Sequence, residues 1–197
     1  MDKEKEMKNH EVELRAFITK RKKENILDLL KNAPSKKQYI KDVYYCPNSV
    51  RQFSEVEMDD VGSFSLRLRE SKVGSKLETT INMKVITAYE DHNAWDEHEI
   101  KINSLKEAQK ICVALGFKSF FTLEKHRHVF KYRGMSVNFE EIKDAGSAIE
   151  VELITEKSKA SEAKQKILDF FEEAGIKSEQ IVKKSLTNEL MHKLAKF

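Results

Sequence analysis

Apolar and charged side chains alternate at period two along residues 10–18, the repeat of a strand with two unlike faces. In NHEVELRAFI (9–18), Glu11, Glu13 and Arg15 point one way, and Val12, Leu14 and Phe17 are assigned to the other register. The pattern then changes period. RKKENILDLLKN (21–32) places Ile26, Leu27, Leu29 and Leu30 on one helical stripe, and Pro34 ends that helix. Alternation returns in 36–45, 63–71, 76–87 and 95–102, which predict four more strands. Ser104 opens SLKEAQKICVAL with the Ser104 to Glu107 spacing of a capping box, and Gly116 is its C-terminal stop. Strands follow at 117–132 and 135–142, joined by a hairpin turn at Arg133 and Gly134, and at 148–155. Amphipathic helices close the chain from 157 and from 185. About eight strands result, and most neighbours lack the crossover of about a dozen residues that parallel pairing needs. The expected class is α+β with a mainly antiparallel sheet.

Composition narrows the function. A chain of 197 residues is long enough for one well-filled core, so a single domain over 1–197 is expected. Charged residues make up 35% but leave a net charge of only +3, unlike the one-sided basic excess of a plain nucleic-acid binder. Cys46 and Cys112 stand far apart with no partner at zinc-ligand spacing, which suggests a reducing compartment. MDKEKEMKNH has no apolar core of a signal peptide, and no apolar run approaches the roughly 18 residues of a membrane helix. A cytoplasmic protein with no membrane partner is expected, and a homodimer is a possible assembly.

The charged faces become informative when the strands are compared. Glu11, Glu13 and Arg15 share a face, as do Arg67 with Arg69, Glu97 with Glu99 and Lys101, Lys125 with Arg127, and Glu150 with Glu152; Lys84 continues the register of Thr80 and Asn82. A solvated sheet face is the ordinary cause of such alternation. Like charges two residues apart on a strand are roughly 6.6 Å from each other, however, and repel unless water or an opposite charge intervenes. Acidic pairs near both ends and basic pairs in the middle suggest two ligand sets, one for a cation and one for a polyanion. A triphosphate carries about four negative charges, and chemistry on it is largely positioning and neutralisation. Carboxylates supply the hard oxygens that Mg²⁺ or Mn²⁺ prefers, Arg a bidentate fork and Lys a mobile point charge.

Glu-x-Glu-x-Arg (11–15), Leu-Arg-Leu-Arg (66–69), Lys84 ending INMK, LGF (115–117), Glu-Lys-x-Arg (124–127) and Glu-Val-Glu (150–152) resemble, in order and spacing, the CYTH superfamily of class IV adenylate cyclases, thiamine triphosphatases and inorganic triphosphatases. The resemblance covers about 9–190 and implies a closed antiparallel eight-stranded β-barrel, a triphosphate tunnel with helices outside. It implies metal ligation by Glu11, Glu13, Glu150 and Glu152, with Glu11 and Glu150 preferred, and phosphate contacts by Arg15, Arg67, Arg69, Lys84, Lys125 and Arg127. Glu140 stands where the family carries an acidic residue, to hold metal or help activate the attacking oxygen; Glu140, Arg15 and Lys84 are the catalytic candidates. Glu97 and Glu99 would tune the basic residues.

The chain also departs from the family pattern. Arg15 replaces the usual Lys and cannot easily act as a base. Ala148 replaces an aromatic residue, and Ser185-Leu186 replaces Ser-Tyr. The implied activity is divalent-metal-dependent conversion of ATP to cyclic AMP and pyrophosphate. The alternatives are hydrolysis of thiamine triphosphate, a nucleoside triphosphate or tripolyphosphate, and binding of a polyphosphate or nucleotide without turnover. Lys36 and Lys37 fit either closure over substrate or an exposed turn. His126 and His128 are expected to face away from the basic pair, and Trp95 to pack at a strand entry rather than stack on a base.

Overall fold

The computed structural model describes residues 10–56, 60–87, 95–182 and 186–194. Its strands are β1 (His10–Ile18), β2 (Ser35–Pro47), β3 (Phe64–Val73), β4 (Lys76–Ile86), β5 (Trp95–Lys101), β6 (Phe117–Tyr132), β7 (Met135–Ile142) and β8 (Gly146–Thr155). Its helices are α1 (Lys20–Leu29), α2 (Leu105–Ala114), α3 (Ala160–Glu173) and α4 (Leu186–Leu194). The strands form one eight-stranded sheet in the order β1-β8-β7-β6-β2-β3-β4-β5. The neighbours β1 and β8, β8 and β7, β2 and β3, β3 and β4, and β4 and β5 pair antiparallel. The α+β class is therefore as the pattern predicts. Among the described residues no helix is long and apolar enough to cross a membrane.

The strand order has two ends, β1 and β5, and no hydrogen-bonded pairing joins them among the described residues, so the eight-stranded antiparallel sheet is shown and its closure into a barrel is not. Part of the β1 edge is otherwise engaged. The Val182 N–H donates to the Arg15 carbonyl at 2.8 Å, and Ala16 forms a bridge with Ile181. Such cover satisfies backbone groups that a bare edge would leave open.

The chain divides into two compact units, Met1–Lys37 with Arg127–Lys183, and Gln38–His126 with Lys184–Phe197. In the first, β1, β7 and β8 turn Ala16, Ile18, Met135, Val137, Phe139, Ile149 and Val151 onto a core completed by Ile26 and Leu30 at the α1 end and by Ile167, Phe170 and Phe171 of α3. Their alternation partners make the polar face. Thr19 caps α1, its hydroxyl accepting from the Lys22 N–H at 3.5 Å. The β6 to β7 turn uses Arg133 (φ 49°) and Gly134 (φ 79°), the paired positive φ of a two-residue hairpin. Phe17 corrects the expected register. Ala16 and Ile18 are the buried residues of β1, so Phe17 keeps the odd-numbered side of Glu11, Glu13 and Arg15, opposite Ala148 in the ladder.

In the second unit, Tyr45, Leu68, Ala108 and Cys112 are buried together, with Val43, Leu66, Ile81, Ile102, Leu105 and Phe117 packed against them. The Ser104 hydroxyl caps α2 by accepting from the Glu107 N–H at 3.3 Å. The opposite face of β2 to β5 carries the polar residues described next.

Candidate functional site

The register of β1 on β8 sets Glu13 opposite Glu152 and Arg15 opposite Glu150. Glu11 lies one pleat beyond Glu13 on the same face. One carboxylate oxygen from each of Glu11, Glu13 and Glu152 lies within 4.8 Å of the other two. Concentrated like charge is costly here. Burial, then Glu152 by charge and hydrogen bond, then Glu13 and Glu150, push the Glu11 carboxyl up to about 7. Converging hard oxygens with a shared proton fit a divalent cation, which would displace the proton and relieve the repulsion.

Glu150 is placed differently from these three. Its Oε2 is 3.5 Å from Arg15 Nε and its Oε1 is 3.4 Å from Arg127 Nη2, so one carboxylate lies between two guanidinium groups. Arg15 also donates to Glu13. Burial works against the Arg15 charge, yet Glu13 and Glu150 hold its proton more firmly than usual. Arg127 Nε donates to Glu140 Oε1 at 2.6 Å, and Glu140 is fully buried. The structure therefore gathers Glu11, Glu13 and Glu152, and gives Glu150 and Glu140 to arginines.

Two neutral residues on β7 complete this face. Ser136 is opposite Glu152 and Asn138 is opposite Glu150; both are buried, and the Asn138 Nδ2 has no hydrogen-bond partner. MSVNFEEI held the signal, since Ser136, Asn138 and Glu140 alternate with Met135, Val137 and Phe139. Only the charged member was singled out from the sequence, because Ser and Asn are ordinary surface residues.

The second unit holds the basic set. Arg67 and Arg69 extend from β3, opposite Tyr44 and Asp42 of β2 and opposite Asn82 and Thr80 of β4. Arg69 Nε and Nη2 donate to the two oxygens of Asp42, each at 2.7 Å, while Arg67 Nη1 stands 3.9 Å from Asp42 Oδ2. Burial would raise the Asp42 pKa, but the Arg69 bonds and charge, then Arg67 and Lys125, hold it below the usual carboxylate range. Lys125 is itself buried. Lys84 Nζ is 3.0 Å from Glu97 Oε2, and Asn82 Nδ2 donates to Glu97 Oε1 at 2.6 Å. Burial opposes the Glu97 charge, yet Lys84, then Asn82 and Arg67, hold that carboxyl below its ordinary range. Glu97 thus has the tuning contact expected of it. Thr80 Oγ1 donates to Glu99 at 3.4 Å.

Asp42 was missed from the sequence. In KKQYIKDVYY it sits in a strand whose residues 44 to 46 are all buried, so no clean alternation marks its face. Lys36 and Lys37 are exposed. His126 is exposed beside Tyr39, with ring centroids 5.4 Å apart, and His128 Nε2 lies 3.0 Å from Ser35 Oγ. The Trp95 side chain and Ser185 lie outside the described residues, and Leu186 is buried.

The sheet is antiparallel, and the polar positions of its strands carry converging carboxylates and braced arginines. The CYTH domain family model matches residues 9–186, and the chain belongs to that family. No curated protein matches the sequence. Among solved structures, the PH1819 protein of Pyrococcus horikoshii OT3 is similar with a TM-score of 0.73 at 23% identity, over 93% of this chain and 99% of that one. A candidate adenylate cyclase of Vibrio parahaemolyticus is similar with a TM-score of 0.68 at 15% identity, over 91% and 97%. A candidate adenylyl cyclase of Hippeastrum, described as having a dominant triphosphatase activity, is similar with a TM-score of 0.64 at 14% identity, over 94% and 95%. These likenesses show the fold.

Proposed function

We propose that this chain is a divalent-metal-dependent enzyme that binds a triphosphate, with Glu11, Glu13 and Glu152 taking Mg²⁺ or Mn²⁺ and Arg67, Lys84 and Lys125 taking phosphate oxygens. The observation that carries the reading is the convergence of the three carboxylates within 4.8 Å in a chain of the CYTH family. A bound cation would neutralise phosphate charge and polarise a phosphorus centre. The protein's own groups do the rest. Arg15 and Arg127 flank Glu150 and fix its orientation, while the basic set on β3, β4 and β6 binds the polyanion through forks and point charges.

The leading reaction is cyclisation of ATP. The ribose 3′ oxygen gives its proton to solvent water and bonds to the α-phosphorus, and the bond to the bridging oxygen breaks to release pyrophosphate. Arg15 holds its proton too firmly to act as the base. Triphosphate hydrolysis is the second reading, in which water attacks the terminal phosphorus, the bond to the bridging oxygen breaks, and the diphosphate leaves as orthophosphate forms; the activity described for the Hippeastrum protein favours it.

Incubation with ATP, thiamine triphosphate and tripolyphosphate, each with Mg²⁺ or Mn²⁺, tests both. Cyclic AMP with pyrophosphate supports cyclisation, and orthophosphate supports hydrolysis. Binding without turnover overturns the enzymatic reading. Unchanged binding and turnover in both Glu11→Ala and Arg67→Ala overturns the assignment of the site.

A further inference from the structure

We infer that Asp42 is a positioning residue that divides the work of the two β3 arginines: it holds Arg69 as a fixed brace and leaves Arg67 as the guanidinium that reads the ligand. The inference rests on the triphosphate reading above and deepens it.

The two arginines are neighbours on one strand face but are not equivalent. Both Asp42 oxygens are occupied by Arg69, through Nε and Nη2 at 2.7 Å, in the parallel fork that fixes a guanidinium plane. Asp42 is fully buried, and it stands opposite Arg69 in the β2 to β3 ladder, so the backbone register itself sets the pair. Arg67 approaches Asp42 Oδ2 at 3.9 Å, too long for a hydrogen bond, it acts on Glu97 through charge, and its buried Nε has no hydrogen-bond partner. A buried donor left open is costly, and an anionic oxygen arriving at Arg67 would satisfy it. Charge is consistent with this division: Arg67, Arg69, Lys84 and Lys125 face Asp42, Glu97 and Glu99, four basic groups against three carboxylates, which leaves one net positive charge for a polyanion.

Two roles for Asp42 predict opposite signs. As a mere counter-ion it competes with the ligand, and removing its charge makes the set more positive and strengthens anion binding. As a positioning residue it keeps Arg69 out of the ligand's way and Arg67 aimed, so removing its charge weakens anion binding although the set has become more positive.

The test is calorimetric titration of the whole chain with imidotriphosphate, a tripolyphosphate analogue with hydrolysis-resistant P–N–P bridges, in Mg²⁺. Asp42→Asn is expected to bind about tenfold more weakly than the wild type. Equal or tighter binding by the variant overturns the inference while the triphosphate reading stands. No binding by the wild type overturns that reading and this inference with it. A second measurement needs no folded variant. In ¹⁵N spectra of the wild type, the Arg67 Nε–H resonance should shift on addition of the analogue and that of Arg69 should stay, and an equal or larger shift at Arg69 overturns the inference.

Discussion

Glu11 carries the pH dependence of the acidic set. Its carboxyl titrates near 7 in the folded chain, because it is buried and faces Glu152, Glu13 and Glu150, against an ordinary 4.5. Between those values the folded state holds a proton that the unfolded state has lost, so stability falls as pH rises through the window and levels off above about 7. Melting temperatures of the wild type and Glu11→Gln, measured from pH 4.5 to 8, should converge in slope only above that window; parallel curves throughout would disprove the shared-proton arrangement. Mg²⁺ should raise the melting temperature more at pH 8 than at pH 6, since at the lower pH it must displace the proton. Glu140, a metal or base candidate by its place in the motif, also braces an arginine. It is fully buried against Arg127, and Glu140→Ala leaves that guanidinium short of its nearer partner. Urea titration should show a loss of about 3 kcal/mol, the usual size for breaking a buried pair.

At the scale of the element, a strand is legible when each face has one character. β8 runs Ile149, Glu150, Val151, Glu152, and its buried and charged members fall where alternation puts them. The same rule failed at the end of β1. Ala16, Phe17 and Ile18 are three apolar residues in a row, so the sequence there has no parity, and Phe17 turned out on the charged side opposite Ala148. That pairing places an aromatic ring beside a position where the family pattern led one to expect an aromatic residue. β2 was predicted as a strand, but its inward face was not legible for a related reason: residues 44 to 46 are all buried, and Asp42 was overlooked with them. Helix α3 was plain from its stripe, and its bulk anchors the first unit through Ile167, Phe170 and Phe171. Phe170→Ala should therefore cost about 3–5 kcal/mol in urea unfolding, by lost burial and the cavity left behind. A loss below about 1 kcal/mol would mean that α3 packs loosely on β1 and β8.

At the scale of the whole molecule, the charged residues of the polar faces were legible and the allocation of partners was not. Period-two charge and motif order marked Glu11, Glu13, Glu152, Arg67, Arg69 and Lys125, because residue type and strand parity are both written in the chain. Which carboxylate meets which cation depends on register between strands distant in sequence, and so the two arginines beside Glu150 were not legible in the chain. The proposed metal-bound triphosphate would be held by carboxylates and by basic residues at once, which couples the two sets. Linkage then demands reciprocity: Mg²⁺ raises affinity for imidotriphosphate by the factor that imidotriphosphate raises affinity for Mg²⁺. Glu152→Gln should abolish that enhancement and leave metal-free anion binding intact or slightly stronger, since it removes a negative charge from the carboxylate set. Arg67→Met should weaken anion binding with and without Mg²⁺. Titrations of both variants, with and without the cation, separate the sets, and an enhancement that survives Glu152→Gln would place the cation on other ligands than the three carboxylates.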